Sequence, residues 1–281
     1  MKLVVVSLRD PVARGVGEVL GTGASTGLFV DGAPIRSLED GTWVLHRNIL
    51  HVDDSGLGGA LPPTVGIQLE AVIFPSSHRS EAGRPALTVH PLGNLTSGAS
   101  VGGRPWEVNP VPARLMTEAL LRLHPHGLAL GIPATFECTH HGPFLPWPSF
   151  FLEAGGDAAT LARREVHRAL AEVLLGLEVA RTREDPILIG VGGGHYVPHW
   201  GELARRREAS FGHMIPRHHW AGLPAELLEQ IVSRTPGVRG VIYARAQEAR
   251  EGRFARWLPT IAERTLAARG SPAVPKDSTS A

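Results

Sequence analysis

Residues 186–199 read PILIGVGGGHYVPH. The apolar run that ends in a triple glycine predicts a buried strand. Gly192, Gly193 and Gly194 predict a turn where a ligand can approach the backbone, since glycine tolerates positive φ and leaves N–H groups facing outward. His195 and Tyr196 follow, and Pro198 can open the next helix. No Gly-Lys-Ser/Thr follows the glycines, so this is not a P-loop, and the GxGxxG fingerprint of dinucleotide sites is not met. A buried strand, an open turn and a helix in this order belong to an α/β fold.

The pattern repeats on either side. LVVVSL (3–8), GLFVDG (27–32), TWVLHRNILHV (42–52), EAVIFPSSHRS (70–80), ALTVHPLGN (86–94), IPATFECTH (132–140) and GVIYAR (240–245) read as strands running into turns. Helices are expected near 11–20, 110–123, 157–178, 199–209 and 223–233, the strongest being 157–178, where Leu161, Val166, Leu170, Val173 and Leu174 recur at helical spacing. TSGASVGGRP (96–105) reads as a Gly/Ser-rich connection, either mobile or able to hold an anion through its backbone N–H groups. The expected fold is α/β, with a mixed or mostly parallel central sheet flanked by helices. Residues 1–270 form a single domain, with room for a smaller inserted subdomain, and 271–281 read as a disordered tail.

At 281 residues with 43% hydrophobic content, the chain has the make-up of a soluble globular enzyme. No run of 18 apolar residues and no signal-peptide pattern is present, which predicts a cytoplasmic protein without a membrane span. One cysteine excludes an internal disulfide and a CxxC zinc site. Residues 1–160 carry 10 Lys+Arg against 14 Asp+Glu, whereas 161–281 carry 18 against 13. That excess permits a phosphate-rich partner on the C-terminal half. The basic run Arg205–Arg207 reads as a solvated helix face, and HPH (124–126) as a helix end.

Ligand sites in open α/β sheets lie beyond the C-terminal ends of strands. Three strands here end in histidine-bearing loops: PSSHRS, ECTHHGP and GVGGGHY. They are expected to feed one site. In ECTHHGP, Glu137, Thr139, His140 and His141 are candidates for catalysis, while Cys138 shares a strand face with Phe136 and is expected to be core. Histidine suits acid–base work near neutral pH and also binds zinc. His78, Arg79, Ser80, Arg84 and His90 form a loop whose arginine could clamp a terminal phosphate or carboxylate, and His213 is another candidate from a later loop. No HExxH occurs.

In this order, SSHRSEAGRPALTVHPLGN, ECTHHGP, GVGGGHYVPH and GHMIP resemble the D-aminoacyl-tRNA deacylases of the archaeal and plant type, over about residues 70–216. The resemblance implies hydrolysis of the ester joining a D-amino acid to the tRNA 3′ end, a zinc cofactor, and a fold similar to the peptidyl-tRNA hydrolase and nucleoside phosphorylase type. It implies a tRNA partner, no DNA and no membrane; a monomer is expected. Carried over by position, it implies catalytic roles for Glu137, Thr139, His140, His141 and His195. Metal would be held by His140, His141 and His195. Substrate would be held by His78, Arg79, Ser80, His90, Asn94, Gly192, Gly193, Gly194, Tyr196 and His213. After the HHGP strand the family favours Glu-x-Gly-Ser-Thr; Glu153-Ala154-Gly155-Gly156-Asp157 lacks the Ser-Thr pair. The alternatives are a metal-dependent hydrolase of another small ester or amide, and a non-catalytic tRNA-binding relative.

Overall fold

Leu3, Val4, Val5 and Val6 are all buried, because the strand that carries them has apolar cover on both faces. The computed structural model describes residues 1–61, 69–78, 83–178 and 184–261. Its strands are β1 (Lys2–Ser7), β2 (Ala24–Val30), β3 (Ala33–Ser37), β4 (Trp43–Arg47), β5 (Ala71–His78), β6 (Ala86–Pro91), β7 (Ala134–Phe136), β8 (Ser149–Gly155), β9 (Ile187–Val191), β10 (Ser210–Ile215) and β11 (Val238–Tyr243). Eight form one sheet in the order β2-β3-β4-β1-β5-β8-β6-β7; the other three form a second sheet, β10-β9-β11. The centre β4-β1-β5-β8 is parallel, β6 runs antiparallel to β8, and the second sheet is parallel throughout. The expected α/β sheet with flanking helices is present.

Alternation along the strands sends Val4, Val6, Ile73, Leu87, Phe136 and Leu152 to one face. The helices Pro11–Leu20, Ala113–Leu130 and Arg164–Gly176 cover that face. Leu3, Val5, Val72, Phe74 and Phe151 point the other way, against Leu57, Leu61 and Leu145 from loops and one short helix. Each fully buried side chain of this size contributes about 1.5–3 kcal/mol. Asp10 caps the first helix by accepting the Ala13 N–H, and its carboxylate also accepts from Ser77 N–H and Oγ–H. That ties a helix start to the end of β5, next to His78.

The two sheets meet along the chain that leaves β7. Val89 and Phe136 are still register partners in the first sheet. Beyond them, the Cys138 N–H donates to His195 O at 2.9 Å and the Thr139 N–H to Met214 O at 2.8 Å, while the Val197 N–H donates to Phe136 O at 3.0 Å. Residues 137–139 thus stitch the first sheet to the second.

Several expectations are corrected. The strand expected over 42–52 stops at Arg47, and a 3₁₀ turn follows at His51–Asp53. The helix expected over 110–123 runs from Ala113 to Leu130 with Pro125 inside it, so HPH is not a helix end. Pro125 costs a hydrogen bond, but Leu120, Leu123 and Gly127 are buried on both sides of it and hold the helix together. The helix expected over 157–178 breaks into Ala158–Leu161 and Arg164–Gly176. β3, β8 and β10 are additions to the expected strands. The connection 96–105 is docked rather than mobile: Asn94 Nδ2 donates to Gly102 O and Arg104 O, and the Gly142 N–H to Val101 O. The tail 271–281 lies outside the described residues. Among the described residues no helix is long and apolar enough to cross a membrane.

Candidate active site

The register of three strands sets the floor of the site. Glu153 of β8 sits beside Ser76 of β5 and opposite Thr88 of β6, while His90 sits opposite Phe151. Residues two apart share a face, so His78, Glu153 and His90 point to the same side of the sheet. The stitched segment adds Glu137, His140 and His141 from above, and the glycine turn after β9 adds His195. Neighbouring residues of an extended strand face opposite ways; His141 escapes this by adopting φ 39°, which turns the chain and brings its ring within 4.4 Å of the His140 ring. Ring centroids of His140 lie 4.0 Å from His90 and 4.6 Å from His195, and His78 lies 5.5 Å from His195.

Hydrogen bonds define the tautomers. Nδ1 of His140 faces Cys138 O at 2.8 Å, Nδ1 of His141 faces Gly142 O at 2.8 Å, and Nδ1 of His90 faces Pro91 O at 3.2 Å. A carbonyl oxygen only accepts, so each Nδ1 carries a proton, and in the neutral rings of His140 and His141 Nε2 keeps its lone pair. This backbone anchoring of one ring nitrogen is the arrangement that orients imidazoles as metal ligands. Glu137 lies among these lone pairs, with Oε2 3.5 Å from His140 Nε2 and 3.4 Å from His195 Nε2, and Oε1 3.7 Å from His78 Nδ1. Glu153 Oε2 lies 3.4 Å from His78 Nδ1 and 3.5 Å from His90 Nε2.

Burial and charge work together here. Burial holds His140 well below the usual imidazole range, with His90, His141 and His195 adding to the effect, and lowers His141 to about 4. Both rings are therefore neutral near pH 7. Burial also acts to lower His78, but Glu153 and Glu137 outweigh it and raise the group. Burial alone would raise Glu153; its histidine neighbours hold it well below the usual carboxylate range. Both oxygens of Glu137, Glu153 Oε2 and His90 Nε2 are buried with no hydrogen-bond partner. Four such atoms converging is costly unless something pairs them. The donor atoms fall into groups within 4.8 Å of one another: His78, Glu137, His140 and His195; His90, His140 and His141; and His90, Glu137 and Glu153. Nitrogen and carboxylate oxygen in these numbers suit a zinc-class cation.

The structure brings His78, His90, Glu137, His140, His141 and His195 together. His140 falls in a donor group with His195 and in another with His141, while His141 and His195 fall in different groups. Tyr196 stands at the margin, its ring 5.9 Å from His78 and 5.3 Å from His195. Gly192, Gly193 and Gly194 form the turn behind it. Thr139, His213 and Asn94 do not join the cluster. His213 lies on β10, not on a loop, and is fully buried: its Nε2–H donates to Asn109 O, and its Nδ1 accepts from Thr139 Oγ. Thr139 Oγ in turn accepts the Met214 N–H, so the pair braces the seam between the sheets. Asn94 braces the 102–104 loop. Arg79 and Ser80 lie outside the described residues. Cys138 is buried, donates to Gly194 O, and has its thiol pKa pushed up by burial and Glu137, which leaves it unsuited to act as a thiolate.

Glu153 is a member of the site that sequence reasoning missed. Its signal is an apolar run, SFFL, preceded by Trp147-Pro148 and followed by a Gly-Gly pair, which is the mark of a buried strand. A lone carboxylate inside such a run is rarely buried without a role.

A family model described as D-aminoacyl-tRNA deacylase matches residues 65–258. The D-aminoacyl-tRNA deacylase of Thermococcus kodakarensis is 33% identical over 218 residues, 77% of this chain and 79% of that protein. That of Thermoplasma acidophilum is 31% identical over 199 residues, 71% of this chain and 73% of that protein. A solved structure of a conserved protein of unknown function shares the fold, with a TM-score of 0.80 and 24% identity, covering 92% of this chain and 94% of that one. The chain belongs to the D-aminoacyl-tRNA deacylase family.

Proposed function

We propose that this protein hydrolyses the ester between a D-amino acid and the 3′ end of tRNA, and that a divalent cation of the zinc class serves the reaction. One observation carries the chemistry: three histidine-bearing strand ends and two buried carboxylates meet at one point, where both oxygens of Glu137, Glu153 Oε2 and His90 Nε2 are buried without a hydrogen-bond partner. The cation would be held by His78, Glu137 and His140, with His90, His141 and Glu153 as the adjoining donors, which leaves His195 to move the proton. When bound, such a cation lowers the pKa of a water towards neutrality and polarises the ester carbonyl.

The residues do the rest. His140 and His141, kept neutral by burial, present lone pairs rather than charge. Glu137 lies 3.4–3.7 Å from nitrogens of three imidazoles, with both oxygens left for the cation. His195 is the accessible member, its side chain 42% exposed at the mouth of the cluster. It takes the proton released as water adds to the carbonyl carbon. As the tetrahedral species collapses, the bond from carbon to the ribose oxygen breaks, and His195 returns the proton to that oxygen. The products are free D-amino acid and tRNA with its hydroxyl restored. Cys138, buried as a neutral thiol, takes no part.

The test is hydrolysis of matched D- and L-tyrosyl-tRNA, each with and without a chelator. The D form is expected to be cleaved and the L form spared, with loss of activity on chelation and recovery on adding zinc. Equal cleavage of both forms would instead make the protein a general esterase. Tight tRNA binding with the D-ester intact would make it a binding protein.

A further inference from the structure

A cleft of about 490 Å³ opens where the C-terminal ends of β9, β10 and β11 come together, lined by Gly193, Gly194, His199, Arg217, Ala244 and Arg245. The ester chemistry uses none of its polar side chains. Arg217 and Arg245 are exposed, and no ion pair ties either guanidinium to a carboxylate among the described residues. The N–H groups of Gly193 and Gly194 have no acceptor among the described residues. Gly192 and Gly193 adopt φ of 109° and 84°, which turns this stretch of backbone outward. A Cβ on Gly193 would stand 2.9 Å from Val197 Cγ1 and 3.0 Å from His199 Cε1, so the cleft wall needs glycine there. His199 Nε2 is buried without a hydrogen-bond partner. Glu248 lies behind Gly192, and its Oε2 accepts the Arg245 N–H; burial raises its pKa, while Arg245 and Arg217 act to lower it.

Two forked guanidinium groups, two backbone N–H groups and an imidazole offer more donors than a carboxylate can use, and suit a phosphate. Gly194 directly precedes His195, so the cleft and the histidine cluster share a wall. We propose that the cleft seats the phosphodiester of the nucleotide that carries the ester, holding the acceptor end while the carbonyl lies at the cluster. The assignment rests on the deacylase reading for the identity of the nucleotide. It agrees with the excess of arginine over acid in the C-terminal part of the chain.

The probe is the trinucleotide CpCpA, without an amino acid, compared with adenosine and with inorganic phosphate by titration calorimetry. The wild type is expected to bind CpCpA more tightly than either. The double variant R217Q/R245Q is expected to lose about tenfold or more in CpCpA affinity while adenosine is unaffected. Its salt dependence should flatten by about 0.7 in log–log slope for each phosphate of a single strand that the protein no longer neutralises. Both arginines are exposed, so thermal melting should show an unchanged fold; R217Q and R245Q singly, each weaker than wild type, give the same readout. Equal CpCpA affinity in wild type and variants would overturn the proposal. So would inorganic phosphate binding as tightly as CpCpA, which would assign the cleft to a free anion. A wild type that holds CpCpA through both arginines yet leaves D-tyrosyl-tRNA intact would remove the deacylase reading and leave the phosphate site standing.

Discussion

His78 and Glu153 meet at the ends of neighbouring parallel strands, Nδ1 to Oε2 at 3.4 Å, and the same oxygen reaches His90 Nε2 at 3.5 Å. One carboxylate oxygen therefore faces two rings of the cluster. Glu153→Gln keeps the shape and removes the charge. Activity on D-tyrosyl-tRNA is expected to fall by about 10–100-fold, the range for loss of a group that holds or orients a metal ligand. Bound zinc, measured by atomic absorption after dialysis, should fall with it. Full activity with full metal content would show that Glu153 is only structural.

Cys138→Ser tests the role of the sole cysteine. The thiol is buried and its proton is held, so iodoacetamide is expected to leave the folded enzyme active, and Cys138→Ser to keep its turnover. Rapid inactivation protected by substrate would place Cys138 among the catalytic residues.

Thr139 and His213 should matter for stability rather than for chemistry. Thr139→Val leaves His213 Nδ1 and the Met214 N–H without their partner, at a cost of about 1–3 kcal/mol in urea unfolding. Turnover of the folded fraction is expected to be unchanged. A large fall in turnover with unchanged stability would place Thr139 in the reaction.

Acid stability follows from the same buried ring. Burial lowers His213 from 6.5 to about 3. Above pH 6.5 neither the folded nor the unfolded chain protonates it, and it adds no pH dependence. Between 6.5 and about 3 the unfolded chain takes up a proton that the folded chain refuses. Stability therefore falls as pH falls, by about 1.4 kcal/mol per pH unit from this group. Denaturant titrations between about pH 7 and pH 4 should show a slope shallower by that amount in His213→Gln. An unchanged slope would mean that the ring is protonated in the fold.

Lys2 is one of only two lysines in the chain. Its ammonium donates to Leu174 O at 2.7 Å and Leu177 O at 2.6 Å, at the end of the helix Arg164–Gly176, and lies 3.5 Å from Asp40. Those carbonyls have no partner further along the helix. Lys2→Met is expected to cost about 1.5–3 kcal/mol, read as a lower urea midpoint with the same transition slope. No change in midpoint would mean that water serves the carbonyls as well.

The sequence by itself determined the elements that depend on near neighbours. LVVVSL and PILIGV are strands because apolar runs end in turn residues, and Pro11 and Pro198 begin helices because their rings already hold a helical φ. The three histidine-bearing strand ends were legible for the same reason, and they do converge. Tertiary structure decided what depends on partners distant in the chain. Whether His213 meets a ligand or braces a seam turns on Asn109 and Thr139, 104 and 74 residues away. Glu153 joins the site only because β8 inserts between β5 and β6 in a register that sets it beside Ser76 and Thr88. His140 and His141 share one site only because the chain turns through a left-handed residue just after the seam where it bonds to the second sheet. Local pattern decides which residues lie on a strand; the register and crossing of strands decide which buried polar atoms meet.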